Sequence, residues 1–394
     1  MIVAFVSNFL NHHQLPFCLE MSKRCDAFWF IATDAITEER RKLGYADMSG
    51  KDFVINYNDN ETQRTKAEDI IVGSDMVIFG SCPDDLIALR AKENKPAFIY
   101  TERLFKKGAW RRFIPTTRKK IISRFIDFDK NNLHILCASA YASKDISYFN
   151  KRFNYFKWGY FPQFKAYDLD ALLQKKASNT TVRLLWVGRF LGWKHPDDAI
   201  KAAYKLNKEG YDFTLDIIGT GDMETELNNL IQEYKLSDRV NMLGSMPPEK
   251  VREYMEAADI YLFTSDFNEG WGVVLNEAMN SGCAVVANHG IGAVPYLLSH
   301  DKNGLIYKNG KKDDLYNKIK YLMDAPDKRR ALGKSAYMTL HDSWNACAAA
   351  ERLITLSTAV INNSNLDLFE TGPCSRAKVL SNNWLKGDKY EPFD

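Results

Sequence analysis

Glu269-Gly270-Trp271-Gly272-Val273-Val274-Leu275-Asn276-Glu277 sets two carboxylates eight residues apart, with two glycines and the start of an apolar stretch between them. Glu269 falls in the loop after a strand-like run, Asp259-Ile260-Tyr261-Leu262-Phe263. Glu277 lies inside the helix that the Val273–Met279 pattern predicts. A strand, a glycine-bearing loop and a helix N-terminus are what an α/β fold uses to hold an anion. Free backbone N–H groups and the positive end of the helix dipole favour phosphate there. A carboxylate at Glu277 can accept from two neighbouring hydroxyls at once. Phosphate beside a diol is the chemistry of a nucleotide ribose. Two glutamates at such a spacing also arise by chance on a solvated surface, so the surroundings must decide.

Those surroundings include Trp186-Val187-Gly188-Arg189-Phe190-Leu191-Gly192-Trp193-Lys194-His195-Pro196. A glycine ends a strand, an arginine follows, and a lysine comes five residues later at a helix entrance. Two fixed cations at a sheet's carboxyl edge suit a diphosphate, Arg189 through its fork and Lys194 as a point charge. Ile217-Ile218-Gly219-Thr220-Gly221-Asp222 points to the same edge. Tight-turn geometry alone accounts for a lone G-x-G.

The elements that must position these residues alternate. In the second half, strands are expected at Arg183–Val187, Phe213–Ile218, Val240–Leu243, Ile260–Phe263, Ala284–Ala287 and Leu305–Tyr307. Helices are expected at Pro196–Leu206, Met223 to about Tyr234, Asp313–Met323 and Lys328–Leu340. This alternation means a parallel, doubly wound sheet with ligands at the carboxyl ends of its strands. The first half has strand candidates at Ile2–Val6, Phe28–Ile31, Met76–Phe79, Ala97–Tyr100 and Leu133–Ala138. Trp158-Gly159-Tyr160-Phe161-Pro162-Gln163 reads as a hinge, and the polar residues 168–181 as a connecting loop.

The ordered set Gly188-Arg189…Lys194, Ile218-Gly219-Thr220-Gly221, Val240–Gly244 and Glu269…Glu277 resembles the retaining glycosyltransferases of family 4, well over about 180–310 and loosely before that. The resemblance implies an α/β chain of GT-B fold, two Rossmann-like doubly wound domains facing an interdomain cleft. Residues 1–162 would form the acceptor-side domain, 163–345 the nucleotide-sugar donor domain, and 346–394 a C-terminal helix and tail packing back toward the first. Gly188, Arg189 and Lys194 would hold the diphosphate, beside the Gly219 turn. Gly270, Trp271, Gly272 and Val273 would bring backbone amides to phosphate and sugar. Glu277 would bind the ribose hydroxyls and Glu269 the donor sugar near its reacting carbon. The Val240–Gly244 backbone, with Met242 and Leu243, would border the nucleobase. Relatives of this kind do not depend on a D-x-D-bound cation, so neither metal nor cofactor is expected beyond the nucleotide-diphosphate sugar as substrate. Asp168-Leu169-Asp170 reads instead as a solvated loop.

The first half departs from the family. Many relatives carry a histidine after the fourth strand, where this chain has Ile99-Tyr100-Thr101-Glu102-Arg103. Glu102 either takes an acceptor-side catalytic role or pairs with Arg103. The loop Ser7-Asn8-Phe9-Leu10-Asn11-His12-His13-Gln14 lacks the usual glycine pair, and His12 or His13 is a candidate to face the cleft. From Arg103 to Arg124 there are nine Lys/Arg and no acid, interleaved with Trp110, Phe113, Ile114, Ile121, Ile122 and Phe125. Basic residues among aromatics suit an anionic membrane surface, over about 103–126, better than nucleic acid. Pro115 divides the stretch into two short amphipathic pieces.

Composition bounds the rest. The 394-residue chain is long for one core, and 45% hydrophobic with 26% charged residues is globular. A net charge of +3 is too small to argue for nucleic acid. No apolar run approaches the ~18 residues of a membrane span. The N-terminus reads as a strand, not a leader. Seven scattered cysteines without a C-x-x-C pair fit reduced thiols in the cytoplasm. The expected protein is a metal-independent, retaining, hexosyltransferase-type enzyme of surface-polysaccharide synthesis. It would be peripheral on the inner face of the plasma membrane, acting on a glycan or polyprenyl-diphosphate-linked acceptor. The alternatives are a sugar-nucleotide epimerase-like enzyme on the same fold and a nucleic-acid-binding protein.

Overall fold

The structure is a computed structural model that describes all residues except 39–40, 42–45, 127–131, 150–152, 387–388 and 391–394. The chain divides into two units, Met1–Gln163 with Ser343–Ser381, and Phe164–Asp342 with Asn382–Asp394.

The first unit is built on β1 (Ile2–Ser7), β2 (Ala27–Ala32), β3 (Val54–Asn56), β4 (Met76–Phe79), β5 (Ala97–Thr101), β6 (Leu133–Cys137) and β7 (Asn154–Lys157). They form one parallel sheet in the order β3-β2-β1-β4-β5-β6-β7. Strands β4 and β6 are buried along their whole length, as a sheet covered on both faces requires. The short edge strands β3 and β7 are additions to the strands expected above. The helix Ala346–Ile361 belongs to this unit and packs on the helix Leu15–Arg24. Trp344, just before it, stacks on Phe161 with ring centroids 6.4 Å apart.

The second unit is built on β8 (Val182–Val187), β9 (Phe213–Ile218), β10 (Val240–Met242), β11 (Ile260–Phe263), β12 (Ala284–Asn288) and β13 (Leu305–Tyr307). They too are all parallel, in the order β10-β9-β8-β11-β12-β13. The order reverses between β8 and β11, which pair Leu184 with Ile260 and Leu185 with Tyr261. A crevice for ligand opens at the carboxyl ends of strands where the order reverses. One face packs Leu184, Trp186, Ile217, Ile260, Leu262 and Val286 into a single buried cluster. Each such side chain contributes about 1.5–3 kcal/mol by leaving water.

Residues 168–181 contain the helix Leu169–Ala177, and not only a connecting loop. Asp168 caps it, accepting from the Ala171 N–H at 3.1 Å. The C-terminal stretch is shared: its helix lies in the first unit, while Asn382–Asp394 lies in the second. There Trp384 meets His289 edge to face, and Tyr390 stacks on His300 with centroids 3.5 Å apart. Among the described residues no helix is long and apolar enough to cross a membrane. All seven cysteines are free thiols.

Candidate functional site

The carboxyl end of β8 lies against the turn that follows β9. Gly188 N–H donates to the Ile218 carbonyl and Phe190 N–H to that of Thr220. Gly219 has φ +143°, and a Cβ there would stand 1.8 Å from the Gly188 carbonyl oxygen. Only glycine allows the two loops to lie this close. The Gly219 turn therefore shapes the loop carrying Arg189. Gly219 N–H in turn donates to the Gly244 carbonyl, and Leu243 N–H to that of Ile217. These bonds set Met242 and Leu243, both half-buried, at the carboxyl edge of β10.

Lys194 is anchored through its main chain. The buried Trp186 Nε1–H donates to Thr264 Oγ1 at 2.8 Å, and that hydroxyl donates to the Lys194 carbonyl at 2.7 Å. The ammonium lies 2.6 Å from Glu269 Oε2, which also accepts from Ser265 Oγ at 2.9 Å. Arg189 is exposed and, among the described residues, its guanidinium has no ion-pair partner. One cation is thus held in place and the other reaches into solvent.

The loop after β11 turns back over its own strand. Gly272 has φ +87°, and a Cβ there would collide with the Phe263 ring at 2.3 Å. Trp271 is 1% exposed, and its Nε1–H donates to Asn276 Oδ1 at 2.9 Å. Its indole is committed to the core, so the part of Trp271 expected at the donor is restricted to its backbone. The helix that follows spans only Val274–Asn280, shorter than a full dipole requires. Positive charge at this edge comes chiefly from Arg189 and Lys194. Arg252, which nothing in the sequence singled out, donates to the Glu277 carbonyl and to Asn280 Oδ1, both at 3.1 Å.

The two glutamates have different surroundings. Glu269 has two donors; the half-buried Glu277 carboxyl has no hydrogen-bond donor among the described residues. Burial holds its pKa above the ordinary value, against the pull of the Arg252 charge. A desolvated carboxylate without donors is poised to accept hydroxyl hydrogen bonds from a ligand.

In the first unit, Glu102 follows β5. Its Oε1 accepts from Tyr160 Oη at 3.0 Å, and its Oε2 pairs with Lys106. Arg103 is not its partner: it is 4% exposed, 3.7 Å from Asp145 Oδ2, and lies over the Tyr141 ring. Asp145 also accepts from the N–H groups of Leu104 and Phe105, both at 2.9 Å. The Arg103 side chain was drawn into the core because the buried Asp145 needs a counter-charge. His12 and His13 occupy the turn after β1, ring centroids 3.8 Å apart and both half-buried.

Pro115 does divide the basic segment, into a 3-10 turn, Ala109–Phe113, and the helix Pro115–Ile126. Trp110 and Phe113 are 62% and 72% exposed, while Ile121 and Phe125 are buried. Arg124 is engaged with Asp84 and the loop after β4, so it and Arg103 do not join the exposed basic face.

Two parallel Rossmann-like sheets with this strand order define a GT-B fold, and residues 170–339 match the family glycosyl transferases group 1. That match lies within the second unit. The chain is 34% identical over 141 residues to the amylovoran biosynthesis glycosyltransferase AmsK of Erwinia amylovora, covering 34% of each chain. It is 35% identical over 134 residues to the putative colanic acid biosynthesis glycosyltransferase WcaL of Escherichia coli, covering 33% of each. These alignments span about a third of the length of either relative. Among solved structures, Anabaena HepE in complex with UDP superposes with a TM-score of 0.66 at 17% identity, covering 91% of this chain and 100% of HepE. Sucrose-phosphate synthase from Thermosynechococcus elongatus superposes at 0.61 and 15%, covering 92% and 100%.

Proposed function

We propose that this protein is a retaining, metal-independent glycosyltransferase. It moves a sugar from a nucleotide-diphosphate sugar to a glycan acceptor carried on polyprenyl diphosphate, at the cytoplasmic face of the membrane. The observation that carries this reading is the pairing, inside the stretch that matches glycosyl transferases group 1, of two cations with a half-buried carboxyl to which no described residue donates. HepE was crystallised with UDP and with UDP-glucose, and AmsK and WcaL are named for polysaccharide biosynthesis, which supports the donor class and the setting.

In this reading Glu277 accepts from the ribose hydroxyls, and the edge at Met242 and Leu243 borders the base. Arg189 and Lys194 take the diphosphate. Lys194 then shares its ammonium between Glu269 and the leaving oxygens. The bond from the sugar's anomeric carbon to the phosphate oxygen breaks, leaving positive charge on the sugar and negative charge on the diphosphate. The acceptor hydroxyl oxygen bonds to the same face of that carbon, and its proton passes to the departing diphosphate oxygen. Glu269, held by Ser265, stabilises the cationic sugar. His12 and Glu102 are assigned to the acceptor side. The exposed Trp110 and Phe113, flanked by Lys106, Lys107, Arg111, Arg112, Lys119 and Lys120, rest on the anionic leaflet.

The test is a melting-temperature screen against UDP, GDP, ADP and their sugars, followed by product formation with polyprenyl-diphosphate sugars. Stabilisation by one nucleotide and an acceptor-dependent product with retained anomeric configuration are expected. Conversion of donor without acceptor would instead make the protein an epimerase. Salt-sensitive nucleic-acid binding with no response to any nucleotide would overturn both.

A further inference from the structure

Two side chains next to the Lys194–Glu269 pair have no part in the donor contacts assigned above. His195 sits between Lys194 and Pro196, which opens the helix Pro196–Lys208, with φ 50° and ψ 51°. A left-handed histidine is strained and persists where its surroundings hold it. Its Nε2 lies 3.5 Å from Asp266 Oδ2. Asp266 is itself pinned: Oδ1 accepts from Asn268 N and Nδ2, both at 2.8 Å. Its N–H donates to the Trp193 carbonyl, and its carbonyl accepts from Glu269 N–H, each at 3.0 Å. Asp266 thus touches the residues on both sides of Lys194 and the residue that Lys194 pairs with.

We propose that His195 and Asp266 form an ionic latch that registers the 189–195 loop against the 264–269 loop, and through it donor affinity follows the charge of the His195 ring. They are positioning residues, and the coupling to donor rests on the function proposed above. The charged groups facing the ring are Asp266 from the β11 loop and Asp197 and Asp198 from the first turn of its own helix. Lys201 and Lys312 pair with those two helix acids, and Lys194 adjoins in sequence. Acids prevail: the hydrogen bond to Asp266 is the largest influence holding the ring's pKa above its ordinary 6.5. Asp266 is lowered although burial pushes it up, because His195 and Asn268 donate to it. A raised histidine value means that the latch is complete below about 6.5 and fades as pH climbs through the higher folded value.

His195→Gly suits the left-handed backbone, so it removes the latch while relieving strain. Asp266→Asn keeps an acceptor for Asn268 and removes the charge. The ligand-free test follows the His195 ring by NMR titration. Its pKa should exceed 6.5 in the native protein and fall in Asp266→Asn; a value unmoved by that change overturns the latch. The coupling test uses whichever of UDP, GDP and ADP binds the native protein, with Kd measured from pH 6 to 9. His195→Gly and Asp266→Asn should each weaken binding about fivefold or more at pH 6 and converge on the native protein at pH 9. The nucleotide's own ionisation cancels in that comparison. Equal Kd ratios across the whole range in both variants would overturn the coupling. Should no nucleotide bind the native protein, the donor reading fails, while the NMR titration still decides the latch.

Discussion

The Lys194 ammonium and the Glu269 carboxylate lie 2.6 Å apart, with 13% and 12% of their side chains exposed. A pair this sheltered is worth more than a surface ion pair, and removing one member strands the other. Lys194→Ala should lower kcat by about two to three orders of magnitude, as loss of one transition-state donor does. It should also cost about 1–3 kcal/mol of stability, because among the described residues Glu269 keeps only Ser265 as a side-chain donor. Steady-state kinetics and a urea melt measure both; an unchanged kcat would remove Lys194 from the leaving-group site.

Glu277 differs because, among the described residues, nothing donates to its carboxyl. Glu277→Ala should weaken nucleotide binding about tenfold or more, the worth of hydrogen bonds to a charged acceptor. Stability should hold or rise, since a half-buried carboxyl to which nothing donates among the described residues is a cost. That cost is absent below the unfolded value near 4.3 and grows as pH rises toward the raised folded value. Glu277→Gln should therefore flatten the fall in stability over that window. Calorimetry from pH 4 to 7 and nucleotide titration read the two effects, and a destabilised variant with native affinity would reverse the assignment.

Gly219→Ala places a methyl against the Gly188 carbonyl at a backbone angle that alanine rarely adopts. A loss of about 2–4 kcal/mol is expected, with weaker nucleotide binding as the Arg189 loop shifts. A melt showing no loss would mean that the two loops can separate freely.

Neutralising Arg111, Arg112, Lys119 and Lys120 should reduce co-sedimentation with anionic liposomes, at about 1 kcal/mol for each charge near the surface. Trp110→Ala with Phe113→Ala should reduce it further at high salt, where screening leaves the apolar contribution. Sedimentation equal to the native protein in both variants would exclude this face as the contact.

Chelation with EDTA should leave turnover unchanged. The Asp168-x-Asp170 carboxylates are already engaged, Asp168 as a helix cap and Asp170 with Lys334 at 3.1 Å. Loss of activity that magnesium or manganese restores would show that the chemistry needs a cation.

The candidate residues after β8 and β11 could be picked out because each part is local: a glycine ending a strand, a cation at a helix entrance, carboxylates across a glycine turn. Strands β11 and β13 were legible for a related reason, since buried parallel strands such as Ile260–Phe263 and Leu305–Tyr307 are unbroken apolar runs bounded by turns. Edge strands β3 and β7 escaped because Val54–Asn56 and Asn154–Lys157 are short and half polar. The helix Leu169–Ala177 was read as loop because its polar residues hide a narrow apolar stripe at Leu172 and Leu173. Partner choices escaped wherever they are long-range. Arg103 meets Asp145 across 42 residues, and Arg252 meets the end of the Glu277 helix across 25 or more. No spacing rule brings such pairs together.

The division of the C-terminal stretch bears on how this protein could be cut or recombined. Its second unit is encoded in two separated pieces, Phe164–Asp342 and Asn382–Asp394. A shortened gene ending at Asp342 would yield a second unit without the Trp384 and Tyr390 rings that pack on His289 and His300. A chimera that exchanges this unit with a relative must therefore transplant the terminal peptide along with it, or accept two imidazoles that have each lost an aromatic neighbour as the scar of the graft.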